Sequence, residues 1–176
     1  MPGANGEIIE LARWLMAADP SLAEEVHLAL VSPDEYVRRF QQPLHRRGIE
    51  NPRSDLPWIA LVNGLQERGR LHELDWKEAP EDVAWKTDHM LPDRAMRPDR
   101  WAWLAQWEDK LPHELLSAIA AHLAEEGLAV LTIDIDSDSY PLMVLPVGQV
   151  EECQRLAQVA GYGTITDWLT PPTREG

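Results

Sequence analysis

Cysteine is nearly missing from this chain, with Cys153 the only one. A single thiol excludes an intramolecular disulfide and a cysteine-rich zinc site. Phenylalanine is equally scarce. No apolar run approaches the roughly 20 residues that a membrane helix needs. Bases are few beside acids: 16 Lys and Arg against 30 Asp and Glu, for a formal net charge of −14 and a pI near 4.7. Such a chain repels polyanions, so nucleic acid is not an expected partner. Met1–Glu10 has no basic stretch followed by an apolar run. No signal peptide is therefore expected, and the expected compartment is a reducing cytoplasm, with no membrane partner. The chain also lacks a Gly-rich phosphate loop, a Gly-x-Ser-x-Gly elbow and a Ser-x-x-Lys pair. The histidines (His27, His45, His72, His89, His113 and His122) include no i, i+4 pair with a carboxylate in a zinc-protease arrangement.

What is present is ordinary globular composition, 44% apolar and 26% charged in 176 residues. That length suits one domain over 1–176, with a helical segment 1–54 packed on a 55–170 core. Ile8, Leu11, Ala12 and Leu15 fall on one helix face. Asp19-Pro20 stops that helix and starts the next, which carries Leu22, Val26, Ala29 and Leu30. Ser32-Pro33-Asp34-Glu35 has the form of a capping box. Residues 41–56, broken by Pro43, Gly48 and Pro52, read as a loop. Pro57 opens a helix with Trp58, Leu61, Val62 and Leu65 on one face, and a short strand is expected within Leu71–Lys77, with Leu74 and Trp76 on one side. Pro80 and Pro112 start further helices, and a loop with Arg94 and Arg97 leads into a helix carrying Trp101, Trp103, Leu104 and Trp107.

The clearest β signal is Leu128–Val147, two apolar runs joined by a short acidic link. Apolar residues on both faces imply strands covered on both sides, and the short link implies an antiparallel hairpin. A last helix places Val150, Cys153, Leu156, Ala157 and Ala160 inward and stops at Gly161, before a tail from Pro171 expected to fray. Helices first and a small, mostly antiparallel sheet later make the class α+β.

The link carries Asp134, Asp136 and Asp138 at spacing two. Oxygen clusters of this kind can hold Ca²⁺ or Mg²⁺, but the calcium-loop template puts Ser139 at its glycine and Leu145 at its glutamate. Three readings stand side by side: a solvated acidic turn, a partner-binding tip and a metal site. Residues 111–163 hold eight acids and one base, Arg155, a net of −7 that attracts cationic partners. Within them, Asp136, Asp138, Glu151 and Glu152 are expected to form an acidic strip. Eight tryptophans are many for this length. Trp101, Trp103 and Trp107 do not share one narrow α-helical stripe, so at least one is expected half-exposed, as an interface anchor or packed under the preceding loop against Arg94 or Arg97. Cys153 lies on an apolar helix face, where a thiol is inert.

Leu56-Pro57-Trp58-Ile59-Ala60-Leu61-Val62, then Arg68-Gly69, then Glu73-Leu74-Asp75-Trp76-Lys77-Glu78-Ala79-Pro80-Glu81-Asp82-Val83-Ala84-Trp85, and later Asp134–Tyr140 ahead of an apolar strand, carry a resemblance. Over residues 55–160 the chain resembles a bacterial family known as domain of unknown function 6630. That family brings no catalytic residues to transfer and implies a compact bacterial cytoplasmic domain. In charge and architecture the chain is also similar to acidic α+β immunity proteins that neutralise bacterial toxins, an analogy only.

Two functions are compatible with these residues. The first is a non-catalytic protein-binding module, most specifically an immunity protein using Asp134, Asp136, Asp138, Glu151, Glu152, Trp101, Trp103 and Trp107 against a basic partner surface, with no cofactor and no metal. The second is an enzyme using Asp134, Asp136 and Asp138 with a divalent metal.

Overall fold

A computed structural model describes residues 4–91, 98–107, 110 and 112–169. The expected loop residues Arg94 and Arg97 and the tail from Pro171 lie outside them. The class is α+β, and the chain divides into two units, residues 1–67 with 152–164 and residues 68–151 with 165–176.

The first unit is helical. It holds α1 (Ala4–Leu15), α2 (Ser21–Val31), α3 (Pro33–Arg39), α4 (Gln41–Arg46), α5 (Leu56–Glu67) and, from Glu152 onward, α8 (Val150–Ala160). Ile8, Leu11 and Ala12 are buried, as the 3.6-residue period requires. Asp19 Oδ1 accepts the N–H of Ser21, the first residue of α2, at 3.0 Å. The capping box at Ser32 does not form, since neither side-chain bond is made and Glu35 instead pairs with Arg38 one turn on. The expected loop 41–56 begins with α4. Pro43 is tolerated because it lies in the first turn, where an N–H would have no intrahelical partner. Helix α5 is buried on every side from Leu56 to Leu65 rather than along one stripe.

The second unit is a sheet with helices. It contains β1 (His72–Asp75), α6 (Pro80–Met90), a 3₁₀ helix (Pro98–Trp107), α7 (Pro112–Ala124), β2 (Leu128–Ile133), β3 (Ser139–Pro146) and β4 (Ile165–Asp167). The strands lie in the order β1-β3-β2-β4, all neighbours antiparallel. The hairpin β2–β3 is therefore the centre of the sheet, in the register Leu128↔Pro146 to Thr132↔Leu142. Pro141 lies beyond that register and faces Glu73 of β1. Gly127, at φ +76°, turns the chain out of α7 into β2, a backbone state that L side chains avoid.

Leu74, Val130, Leu142 and Val144 of the sheet pack with Val83 and Ala84 of α6, Leu104 of the 3₁₀ helix and Leu115, Leu116, Ile119 and Leu123 of α7. On the other face Ala129, Leu131, Ile133, Met143 and Leu145 are buried too. This accounts for apolar runs without alternation. Strand β1 ends at Asp75, so Trp76 is outside it. Strand β4 had no sequence signal strong enough to predict it, being three residues long.

Candidate protein-binding surface

The acidic link is held by its own side chains. Asp134 Oδ1 accepts the Asp136 N–H at 2.9 Å, an Asx turn that carries Asp136 to φ +54°. Ser137 Oγ accepts the Ser139 N–H at 3.3 Å, and the Ser139 hydroxyl donates to Glu73 Oε1 of β1 at 3.0 Å. The tip is thus tied to the sheet edge. The Asp138 carboxylate, in contrast, has no partner among the described residues and is exposed.

The turn between β1 and α6 stands beside it. Asp75 Oδ1 accepts the Lys77 N–H at 2.9 Å and Glu78 Oε2 accepts the Asp75 N–H at 2.8 Å. This tight turn leaves Trp76 outside the strand and 48% exposed, with the Lys77 ammonium 4.3 Å from its ring centroid. Trp76, Ser137, Asp138, Ser139 and Tyr140 line an open groove of about 450 Å³. Lys86 of α6 donates to Glu73 O at 2.9 Å and pairs with Glu78 Oε1 at 2.5 Å. Side chains, rather than a further strand, therefore occupy Glu73 O and Asp75 N–H along edge strand β1.

One turn of α6 presents a second exposed tryptophan, Trp85, 54% exposed. Its ring lies 3.8 Å from that of His89 and 6.1 Å from that of His72, centroid to centroid. His89 Nδ1 is 2.7 Å from Trp85 O. Burial, then the charges of Lys86 and His89, hold the His72 pKa below the ordinary histidine range.

Trp101, Trp103 and Trp107 are brought together, but as half-buried residues packed on the unit's core. A 3₁₀ helix advances 120° per residue, so Trp101, Leu104 and Trp107 share one row, which the α-helical expectation did not give. The ring of Trp103 lies 5.7 Å from that of His122 and 6.0 Å from that of Trp107. The Trp101 indole donates to Asp88 Oδ1 at 3.2 Å. Arg100, its side chain 3% exposed, binds the same Asp88 atom at 3.1 Å and Glu126 at 3.0 Å, which anchors this helix to α6 and to the end of α7.

Glu151 is exposed at the start of α8, and Glu152 is bound by Arg155 through two bonds of 2.7 Å. That pair draws the Glu152 pKa down, but Glu152 does not present a free charge. Cys153 is buried, and burial pushes its thiol up to about 12. Among the described residues no three His, Cys, Asp or Glu side chains are grouped to hold a metal ion. Sequence reasoning located the tip but missed Trp76 and Trp85 as exposed aromatics. The available signal was the turn chemistry of Asp75-Trp76-Lys77-Glu78, which ends the strand one residue before the tryptophan.

The model of the family described as domain of unknown function (DUF6630) matches residues 7–168, and the chain belongs to that family. The match takes in the N-terminal helices as well as the 55–160 stretch in which the resemblance is visible. No curated protein and no solved structure matches the chain. No described helix is long and apolar enough to cross a membrane.

Proposed function

We propose that this domain is a non-catalytic protein-binding module whose partner presents a basic surface, most specifically a cytoplasmic immunity protein that occludes a bacterial toxin. The observation carrying this reading is the exposure of two tryptophans, Trp76 and Trp85, on the unit that also holds the acidic tip. Large apolar rings left in water cost free energy that a partner relieves, and tryptophans of this kind dominate binding energy where they occur at interfaces. The excess of acids speeds encounter with a basic surface and repels nucleic acid.

The test is affinity capture with the wild-type domain and a Trp76→Ala/Trp85→Ala variant, from host extract and against candidate basic toxins. The expected result is a basic protein whose dissociation constant rises at least roughly thirtyfold in the variant, the equivalent of about 2 kcal/mol. Its association rate should also fall with salt. Capture of partners with no basic surface, or equal affinity for the variant, overturns the proposal.

A further inference from the structure

We propose that the groove beside the hairpin tip receives an arginine side chain of the protein partner. This rests on the protein-binding reading above and supplies the chemistry of its contact. Three features of the groove point the same way. Its lining includes Trp76, an exposed aromatic residue whose ring has the Lys77 ammonium 4.3 Å from its centroid, a cation–π contact. It contains Asp138, a carboxylate with no partner among the described residues. Ser137, Ser139 and Tyr140 complete its lining.

A π face, an anion and hydroxyl oxygens are together what a guanidinium binds. The planar group can stack on an aromatic ring while its edge donates several N–H bonds to a carboxylate. A lysine supplies the charge but no plane and no fork. A neutral amide supplies donors but no charge. An anion meets Asp138 on a chain of net charge −14. The source is a protein rather than free arginine, because the α-carboxylate of the free amino acid would meet the same repulsion. The volume, about 450 Å³, lies in the range of small-ligand clefts and suits one side chain with its flanking backbone.

The test needs no knowledge of the partner. The ¹⁵N-labelled full chain is titrated with an end-blocked Gly-Arg-Gly peptide, with the same peptide carrying citrulline or lysine, and with free arginine. Shifts are followed at the Trp76 indole N–H, assigned by its loss in Trp76→Phe, and at the amides of residues 137–140. The expected result is saturable shifts confined to these groups with the arginine peptide. Citrulline, which keeps the shape without the charge, should bind at least about tenfold more weakly, and Asp138→Asn should weaken the arginine peptide by a similar factor. Both variants change exposed side chains, and unchanged shifts elsewhere establish that they fold.

Equal binding of citrulline, an unaffected Asp138→Asn, or non-saturating shifts spread over all the acids overturn the proposal. Equal binding of lysine overturns the guanidinium, and tighter binding of free arginine overturns the protein source. The two readings fail separately. A partner held equally by wild type and Asp138→Asn removes the groove and leaves protein binding. Saturation by the arginine peptide with no protein partner supports the groove chemistry and removes protein binding.

Discussion

Gly163→Ala tests the packing of the first unit at one atom. A Cβ on Gly163 would lie 2.4 Å from Nε1, 2.6 Å from Cε2 and 3.0 Å from Cζ2 of Trp58. Carbon atoms rest about 3.5–4.0 Å apart, so the overlap is about 1 Å against a rigid ring. Trp58 is 1% exposed and has no open space to retreat into. Overpacking costs about 1–3 kcal/mol, and this contact should reach the top of that range. For a chain of this size each kcal/mol lowers Tm by about 2–4 °C, so the expected loss is about 6–12 °C. Gly148→Ala is the control: its Cβ would meet nothing within 4 Å, and it should be neutral or gain about 0.4–1 kcal/mol through the unfolded chain. Urea unfolding followed by tryptophan fluorescence gives both values. Trp58→Phe, which removes the offending five-membered ring, should cost less in the Gly163→Ala background than in wild type. A Gly163→Ala domain within about 0.5 kcal/mol of wild type, the range of ordinary surface changes, would refute the reasoning.

Three further outcomes follow from burial. Ile133→Ala, at a fully buried position of β2, should cost about 2–5 kcal/mol in denaturant melts, and a loss below about half a kcal/mol would remove Ile133 from the core. His72 has a folded pKa below its unfolded value, so the unfolded state binds more protons. The stability it contributes is complete above the ordinary histidine pKa of about 6.5 and is lost as pH falls through it toward the lower folded value. His72→Gln should therefore flatten the decline in urea midpoint below that pH, and identical declines in the two proteins would count against it. Cys153, with its thiol pushed up to about 12, should resist a thiol reagent in the native protein and react fully once unfolded; stoichiometric labelling faster than unfolding would contradict the burial.

The parts of the fold that were legible in the sequence are those where one local pattern decides the outcome. Leu128–Ile133 and the run after Tyr140 are long, apolar and bounded by Gly127 and an acidic turn, and they form the central hairpin. Leu115, Leu116, Ile119 and Leu123 keep their helical period because one face of α7 meets the sheet. The acidic tip was legible from its spacing, together with its self-bonded turn. The exposure of Trp76 and the phase of the tryptophan helix were not, because they depend on where an element stops and on its screw. Strand β1 ends at Asp75 and releases Trp76, while the 3₁₀ geometry re-phases Trp101, Trp103 and Trp107. Similarly, Glu35 could cap a helix or pair with Arg38, and sequence spacing permits both. Three residues of β4 acquire their identity only from β2 beside them.

The threading of the chain through its two units sets an order of events on the ribosome. Residues 1–67 are completed by residues 152–164, and the sheet of the other unit by Ile165–Asp167. At synthesis rates of about 5–20 residues per second, Trp58 emerges roughly 5–20 s before the glycine that packs against it. During that interval α5 lacks one of its native neighbours. A stop codon anywhere before Gly163 would leave both units unfinished rather than sparing one.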